Sequence, residues 1–192
     1  MRILMLGNSF TFAHDMPSML AELTGAEVLQ ITRGDAYLAE QLDPQTTTGE
    51  RTRAALEEKH WDYVILQEMS YGPITSRDCF FKSVSRLCDW IREKGAVPIL
   101  YATWAYQKDS QAMADMGISY EDMAAGLEDA YHEAAEQNHA LVADVGRRFY
   151  ELAETQDLYA RDGQHPSKAG SHLAAQVIAE AIRSDQAGLD ET

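Results

Sequence analysis

Arg2-Ile3-Leu4-Met5-Leu6-Gly7-Asn8-Ser9-Phe10-Thr11 opens the chain with a short apolar run that stops at three small or polar residues. A run apolar on consecutive rather than alternate positions predicts a strand buried on both faces, and the break predicts a sharp turn toward a helix. The same figure recurs down the chain. Glu27–Thr32, Tyr63–Gln67, Val97–Thr103 and Ala140–Asp144 read as further strands rich in Val, Ile and Leu. Amphipathic stretches over 16–23, 50–59, 78–93, 121–137, 146–154 and 167–183 separate them and close the chain. This alternation predicts an α/β fold, a parallel sheet of about five strands with helices on both faces. In the last stretch Ser167 stands at an N-cap position after Pro166, and Leu173, Val177, Ile178 and Ile182 fall on one helical stripe.

The 192 residues, 45% hydrophobic and 24% charged, suffice for one well-filled core and not for two. One domain over 1–183 is expected, with a loose acidic tail over 184–192. Sixteen Lys and Arg face 31 Asp and Glu, and the net charge of -15 repels phosphate backbones and anionic lipid head groups. Nucleic acid and membrane partners are therefore not expected. No apolar run approaches the roughly 20 residues of a membrane helix, and the opening run is too short for a signal segment, so a cytoplasmic location is expected. Cys79 and Cys88 are too few for a disulfide framework and lack metal-ligand spacing. Neither a Gly-x-Gly-x-x-Gly nor a Gly-x-x-x-x-Gly-Lys motif is present, so no nucleotide or other cofactor is expected. The oligomeric state has no signature in the sequence.

In a parallel sheet every strand's carboxyl end opens on one edge, where polar residues distant in sequence converge. Those positions hold Gly7-Asn8-Ser9 after the first strand, Arg33-Gly34-Asp35 after the second, Gln67-Glu68-Met69-Ser70 after the third, and Trp104 and Tyr106 after the fourth. Asp162-Gly163-Gln164-His165 precedes the last helix. Ser9, between a strand and a helix start, has the placement of a nucleophile. Serine needs a base to take its proton, and the base needs an orienting partner. Asp162 and His165 supply that pair on one turn, with Gly163 easing the backbone. Backbone N–H groups of Ser9 and Gly34, and the side-chain amide of Gln67, are candidate oxyanion donors.

These blocks resemble the SGNH (GDSL-like) hydrolases, over most of the chain, in the subgroup whose first block reads Gly-Asn-Ser-Phe. The resemblance implies a flavodoxin-like three-layer α/β/α sandwich. It also implies a triad of Ser9 as nucleophile, His165 as general base and then acid, and Asp162 as its orienter. The family's third block, Gly-x-Asn-Asp, is absent; Leu66-Gln67-Glu68-Met69-Ser70 stands in its place. Gln67 is assigned the asparagine's role because it also carries an amide, with Ser70 as a second candidate.

Trp104 and Tyr106 suit the flat apolar face of a sugar ring or an aryl group, and with Glu68, which is also within reach of Arg33, they are the candidate substrate-binding residues. Segment 105–119 reads as either a lid or a plain connection. His14 is near Ser9 in sequence and edges the site rather than serving as its base. The expected activity is that of a serine esterase removing a small acyl group, acetyl first, from a small-molecule ester such as an acylated carbohydrate. Two alternatives stand beside it. One is a noncatalytic glycan or metabolite binding module; the other is a metal-dependent phosphoesterase using Asp35, Asp162 and His165.

Overall fold

A computed structural model describes residues 1–190 of the chain. Its strands are β1 (Arg2–Gly7), β2 (Glu27–Thr32), β3 (Tyr63–Leu66), β4 (Val97–Tyr101) and β5 (Leu141–Ala143). Its helices are α1 (Ser9–Phe12), α2 (Met16–Thr24), α3 (Leu38–Leu42), α4 (Thr47–Glu58), α5 (Gly72–Thr75), α6 (Arg77–Glu93), α7 (Gln111–Asp115), α8 (Tyr120–Asn138), α9 (Val145–Leu152) and α10 (Lys168–Asp190). All strand pairs are parallel, in the order β2-β1-β3-β4-β5.

Consecutive side chains of β1 go to opposite faces of the sheet, and each face meets its own set of helices. Ile3 and Met5 join Ile65, Ile99 and Tyr101 in a cluster with Leu20 of α2, Phe149 of α9 and Ile178 of α10. Leu4 and Leu6 join Val64, Leu66 and Leu100 in a second cluster with Leu56 of α4, Leu87 of α6 and Tyr131 of α8. All four β1 side chains are fully buried, which explains why the run carries no polar alternation. The result is the three-layer α/β/α sandwich expected from the sequence.

Order 2-1-3-4-5 reverses the direction of chain progress between β1 and β3, and open α/β sheets form their crevice at that switch, outside the carboxyl ends of the strands. Ser9 follows β1 there, and Gln67 and Glu68 follow β3.

Two boundaries differ from expectation. The last helix continues past Arg183 to Asp190, and Asp185 accepts a 2.8 Å hydrogen bond from the Tyr63 hydroxyl, which ties that stretch to the start of β3. The remaining part of the expected tail, Glu191 and Thr192, lies outside the described residues. Segment 105–119 contains α7, whose own residues Ala112 and Met113 are buried in the first cluster. No helix among the described residues is long and apolar enough to cross a membrane.

Candidate active site

The turn after β1 is set by the backbone it must pass. A Cβ on Gly7 would come within 2.6 Å of both Gln67 Oε1 and Thr11 Oγ1, so only glycine lets the strand end this close to β3. Asn8 then adopts an extended conformation and caps α1, its Oδ1 accepting from Phe10 N–H at 3.1 Å. Its Nδ2 donates to the Ala36 carbonyl at 3.1 Å, which pins the segment after β2 against the turn. Ser9 is thereby fixed as the first residue of α1.

Ser9 Oγ lies 2.9 Å from His165 Nε2, and His165 Nδ1 lies 2.6 Å from Asp162 Oδ2. The second contact assigns the imidazole tautomer: with Nδ1–H donating to the carboxylate, Nε2 is free to accept the Ser9 proton. Asp162 Oδ1 also accepts from Gln164 N–H and His165 N–H, each at 3.0 Å. Partial burial pushes the Asp162 carboxyl up, but these N–H groups and the imidazole outweigh it and hold the group below its usual value. The turn needs Gly163, whose φ is +70° and whose Cβ position would lie 2.5 Å from Ser110 Cβ.

Three contacts brace this loop. Gln107 N–H donates to the Gly163 carbonyl at 2.7 Å, Trp104 Nε1–H to the Gln164 carbonyl at 3.0 Å, and His14 Nε2 to the Pro166 carbonyl at 3.1 Å. Segment 105–119 thus begins as a buttress of the Asp162–His165 turn, with Tyr159 further anchoring Ala105 through a 2.8 Å hydrogen bond. His14, at φ +53°, makes its ring contact there and none with Ser9.

Gly34 sits in an exposed turn beyond β2, with open space around its Cα. Neither its N–H nor that of Ser9 donates a hydrogen bond among the described residues. Two backbone donors are thus available on segments that Asn8 holds together.

The role expected of Gln67 is not supported. This side chain is fully buried; its oxygen accepts from Asn8 N–H and from the Thr11 hydroxyl, each at 2.9 Å, and its nitrogen donates to the Glu68 carbonyl. The oxygen is identified by the Asn8 N–H that it must accept, so the amide is committed to holding the turn beneath Ser9. Ser70 is likewise committed, with Oγ 2.7 Å from the Tyr106 hydroxyl.

The expected aromatic platform is also corrected. Trp104 is 1% exposed, stacked between Phe10 at 4.5 Å and Phe149 at 4.1 Å, so both ring faces are covered. Tyr106 is 3% exposed, and Glu68, 1% exposed, faces backbone amides rather than the crevice mouth. Arg33 pairs with Glu40, at 2.6 Å, and not with Glu68. Asn8, Thr11 and His14 were not singled out by sequence reasoning as parts of the framework. Only Asn8, in the Gly-Asn-Ser-Phe block, carried a signal. Among the described residues no three His, Cys, Asp or Glu side chains group so as to hold a metal ion.

No protein-family model and no curated protein matches the chain. Solved structures do. A protein from Slackia heliotrinireducens assigned to the SGNH hydrolases is 48% identical, with a TM-score of 0.91 over 95% of this chain and 98% of that one. A variant of an acetyl-xylooligosaccharide esterase from Geobacillus stearmophilus is 14% identical, with a TM-score of 0.67 over 94% of this chain and 93% of that one. An acetyl xylan esterase is 14% identical, with a TM-score of 0.69 over 95% of this chain and 100% of that one.

Proposed function

Because the chain belongs to the SGNH hydrolase family and is therefore a serine hydrolase, we propose that it cleaves a small carboxylic ester through an acyl-enzyme on Ser9. The observation that carries this reading is the continuous run from Ser9 Oγ to His165 Nε2 at 2.9 Å and from His165 Nδ1 to Asp162 at 2.6 Å. His165 takes the Ser9 proton as the hydroxyl attacks the ester carbonyl. The N–H groups of Ser9 and Gly34 receive the oxyanion. His165 then returns the proton to the departing alcohol, and a water activated by the same ring releases the acid. Asp162, held ionised, stabilises the imidazolium that forms in each half-reaction.

Acetyl esters of carbohydrates are the substrate class proposed. The activities of two structural neighbours, an acetyl xylan esterase and an acetyl-xylooligosaccharide esterase, motivate it. With Trp104 and Tyr106 buried, the apolar face offered to a sugar is that of Phe12, 40% exposed and on the same short helix as Ser9.

Hydrolysis of p-nitrophenyl acetate is expected for the wild type and is expected to vanish in Ser9→Ala. A fluorophosphonate probe is expected to label Ser9, and His165→Ala and Asp162→Ala to lose about four orders of magnitude in kcat. Undiminished activity in Ser9→Ala, or labelling elsewhere, would overturn the assignment. Release of acetate from acetylated xylooligosaccharides, set against release from simple alkyl acetates, tests the substrate class.

A further inference from the structure

Glu68 is the one carboxylate at the crevice floor that the proposed chemistry does not use. It is 1% exposed, and its Oε1 accepts from Met69 N–H at 2.6 Å and from Leu38 N–H at 3.2 Å, while Oε2 lies 3.4 Å from the same Leu38 nitrogen. Gly72 of α5 packs on its Cγ so closely that an added Cβ would approach to 3.1 Å. Among the described residues no Lys, Arg or His pairs with it. The charged and titratable groups that face it are Glu40 of α3, itself paired to Arg33, and the hydroxyls of Tyr37 and of Tyr131, the latter accepting from Glu68 N–H at 3.4 Å.

Leu38 opens α3, and the arm that precedes it carries Gly34. This arm is fixed at its other points by Arg33 N–H to the Gly7 carbonyl at 3.4 Å, by Asn8 to the Ala36 carbonyl, by the Arg33 side chain to the Gly34 carbonyl at 2.8 Å and by the Arg33–Glu40 pair. The last two contacts lie within the arm and α3. Arg33 N–H and Asn8 connect it to the end of β1, and Glu68 is the one of these contacts that connects it to the segment after β3.

We infer that Glu68 is a positioning residue, whose buried carboxylate, through Leu38 N–H, keeps the arm bearing the Gly34 N–H fixed against the turn that bears Ser9. The inference rests on the proposed role of Ser9 and Gly34 in ester hydrolysis. An ionised carboxylate is roughly twice as strong an acceptor as a neutral carbonyl, so the hold tightens when Glu68 loses its proton. Burial pushes this carboxyl up to about 7, against the two backbone amides that lower it. Ionisation of Glu68 therefore falls near neutral pH, and its contribution to the rate is expected to grow as pH rises through that value.

The conservative variant separates position from charge. In Glu68→Gln the carbonyl oxygen can take the place of Oε1 and keep both amides, so kcat for p-nitrophenyl acetate at pH 8 is expected to fall about fivefold with KM unchanged. The ratio of its kcat to that of the wild type is expected to fall as pH rises through about 7, where the wild-type carboxyl ionises. Glu68→Ala removes the tether, and a displacement of the donor arm on the ångström scale is expected to lower kcat by about 10²-fold. Hydrogen exchange of peptides spanning 33–38 is expected to quicken in Glu68→Ala and less so in Glu68→Gln. Folded variants that keep wild-type kcat, pH profile and exchange would overturn the inference. Should Ser9→Ala remain active, the esterase reading fails by itself, and the exchange measurement still decides whether Glu68 holds the arm.

Discussion

Gln67 carries the residue of its family position's chemistry but not its role. An amide at the end of β3 can point a donor at the substrate or turn beneath the nucleophile, and the identity of the side chain does not choose between them. The choice is made by Asn8 N–H and the Thr11 hydroxyl, two buried donors that require an acceptor, and Gln67 Oε1 is the one available. Removing it leaves both unpartnered. Gln67→Ala is therefore expected to destabilise the protein by about 1–3 kcal/mol for each buried group left unsatisfied, measured by urea unfolding. Gln67→Glu retains the acceptor and, while its carboxyl is protonated, the donor to the Glu68 carbonyl, so it is expected to recover most of that loss at low pH and to lose it again on ionisation. If Gln67 instead supplied the oxyanion donor, Gln67→Ala would lower kcat steeply with little change in unfolding midpoint.

At the scale of elements, the Ser9–His165–Asp162 contacts depend on a loop rather than on a regular element, and the loop depends on Trp104. Its indole ring is sandwiched between Phe10, next to Ser9, and Phe149 of α9, while its N–H holds the Gln164 carbonyl beside His165. Trp104→Phe preserves an aromatic ring in the stack and deletes the hydrogen bond. It is expected to cost about 1 kcal/mol in stability and several-fold in kcat, with KM for a small ester little changed. A large rise in KM would restore Trp104 as a substrate platform. The five strands and the long helices were legible because both sheet faces are covered and a long amphipathic helix repeats its pattern over several turns. α3, α5 and α7 were not, being single turns whose existence depends on caps and on tertiary contacts such as Leu38 N–H to Glu68. That Ser9 would meet His165 and Asp162 was legible because a parallel sheet opens its strand ends on one edge and the Asp-x-x-His turn enters the last helix beside it. The burial of Trp104, Tyr106 and Glu68 could not, because it depends on which side chains of the facing elements close over them.

At the scale of the whole molecule, a buried acid without a cation sets the pH dependence of stability. Glu68 has an ordinary value of 4.5 when unfolded and is pushed to about 7 when folded, so between these values the folded state binds the proton more tightly. Stability from this group is fully present below pH 4.5 and is lost as pH rises through about 7. Glu68→Gln carries no such proton. It is expected to match the wild type near pH 4.5 and to exceed it at pH 8 by about 3 kcal/mol, the free-energy equivalent of the shift. Urea unfolding of both proteins at the two pH values measures this directly, and a constant difference between them would show that Glu68 is not destabilised by its charge. The same substitution is expected to slow hydrolysis at pH 8. A variant that is more stable but slower is the outcome expected when a site retains a buried charge for the geometry it imposes, at the expense of the stability a neutral side chain would give.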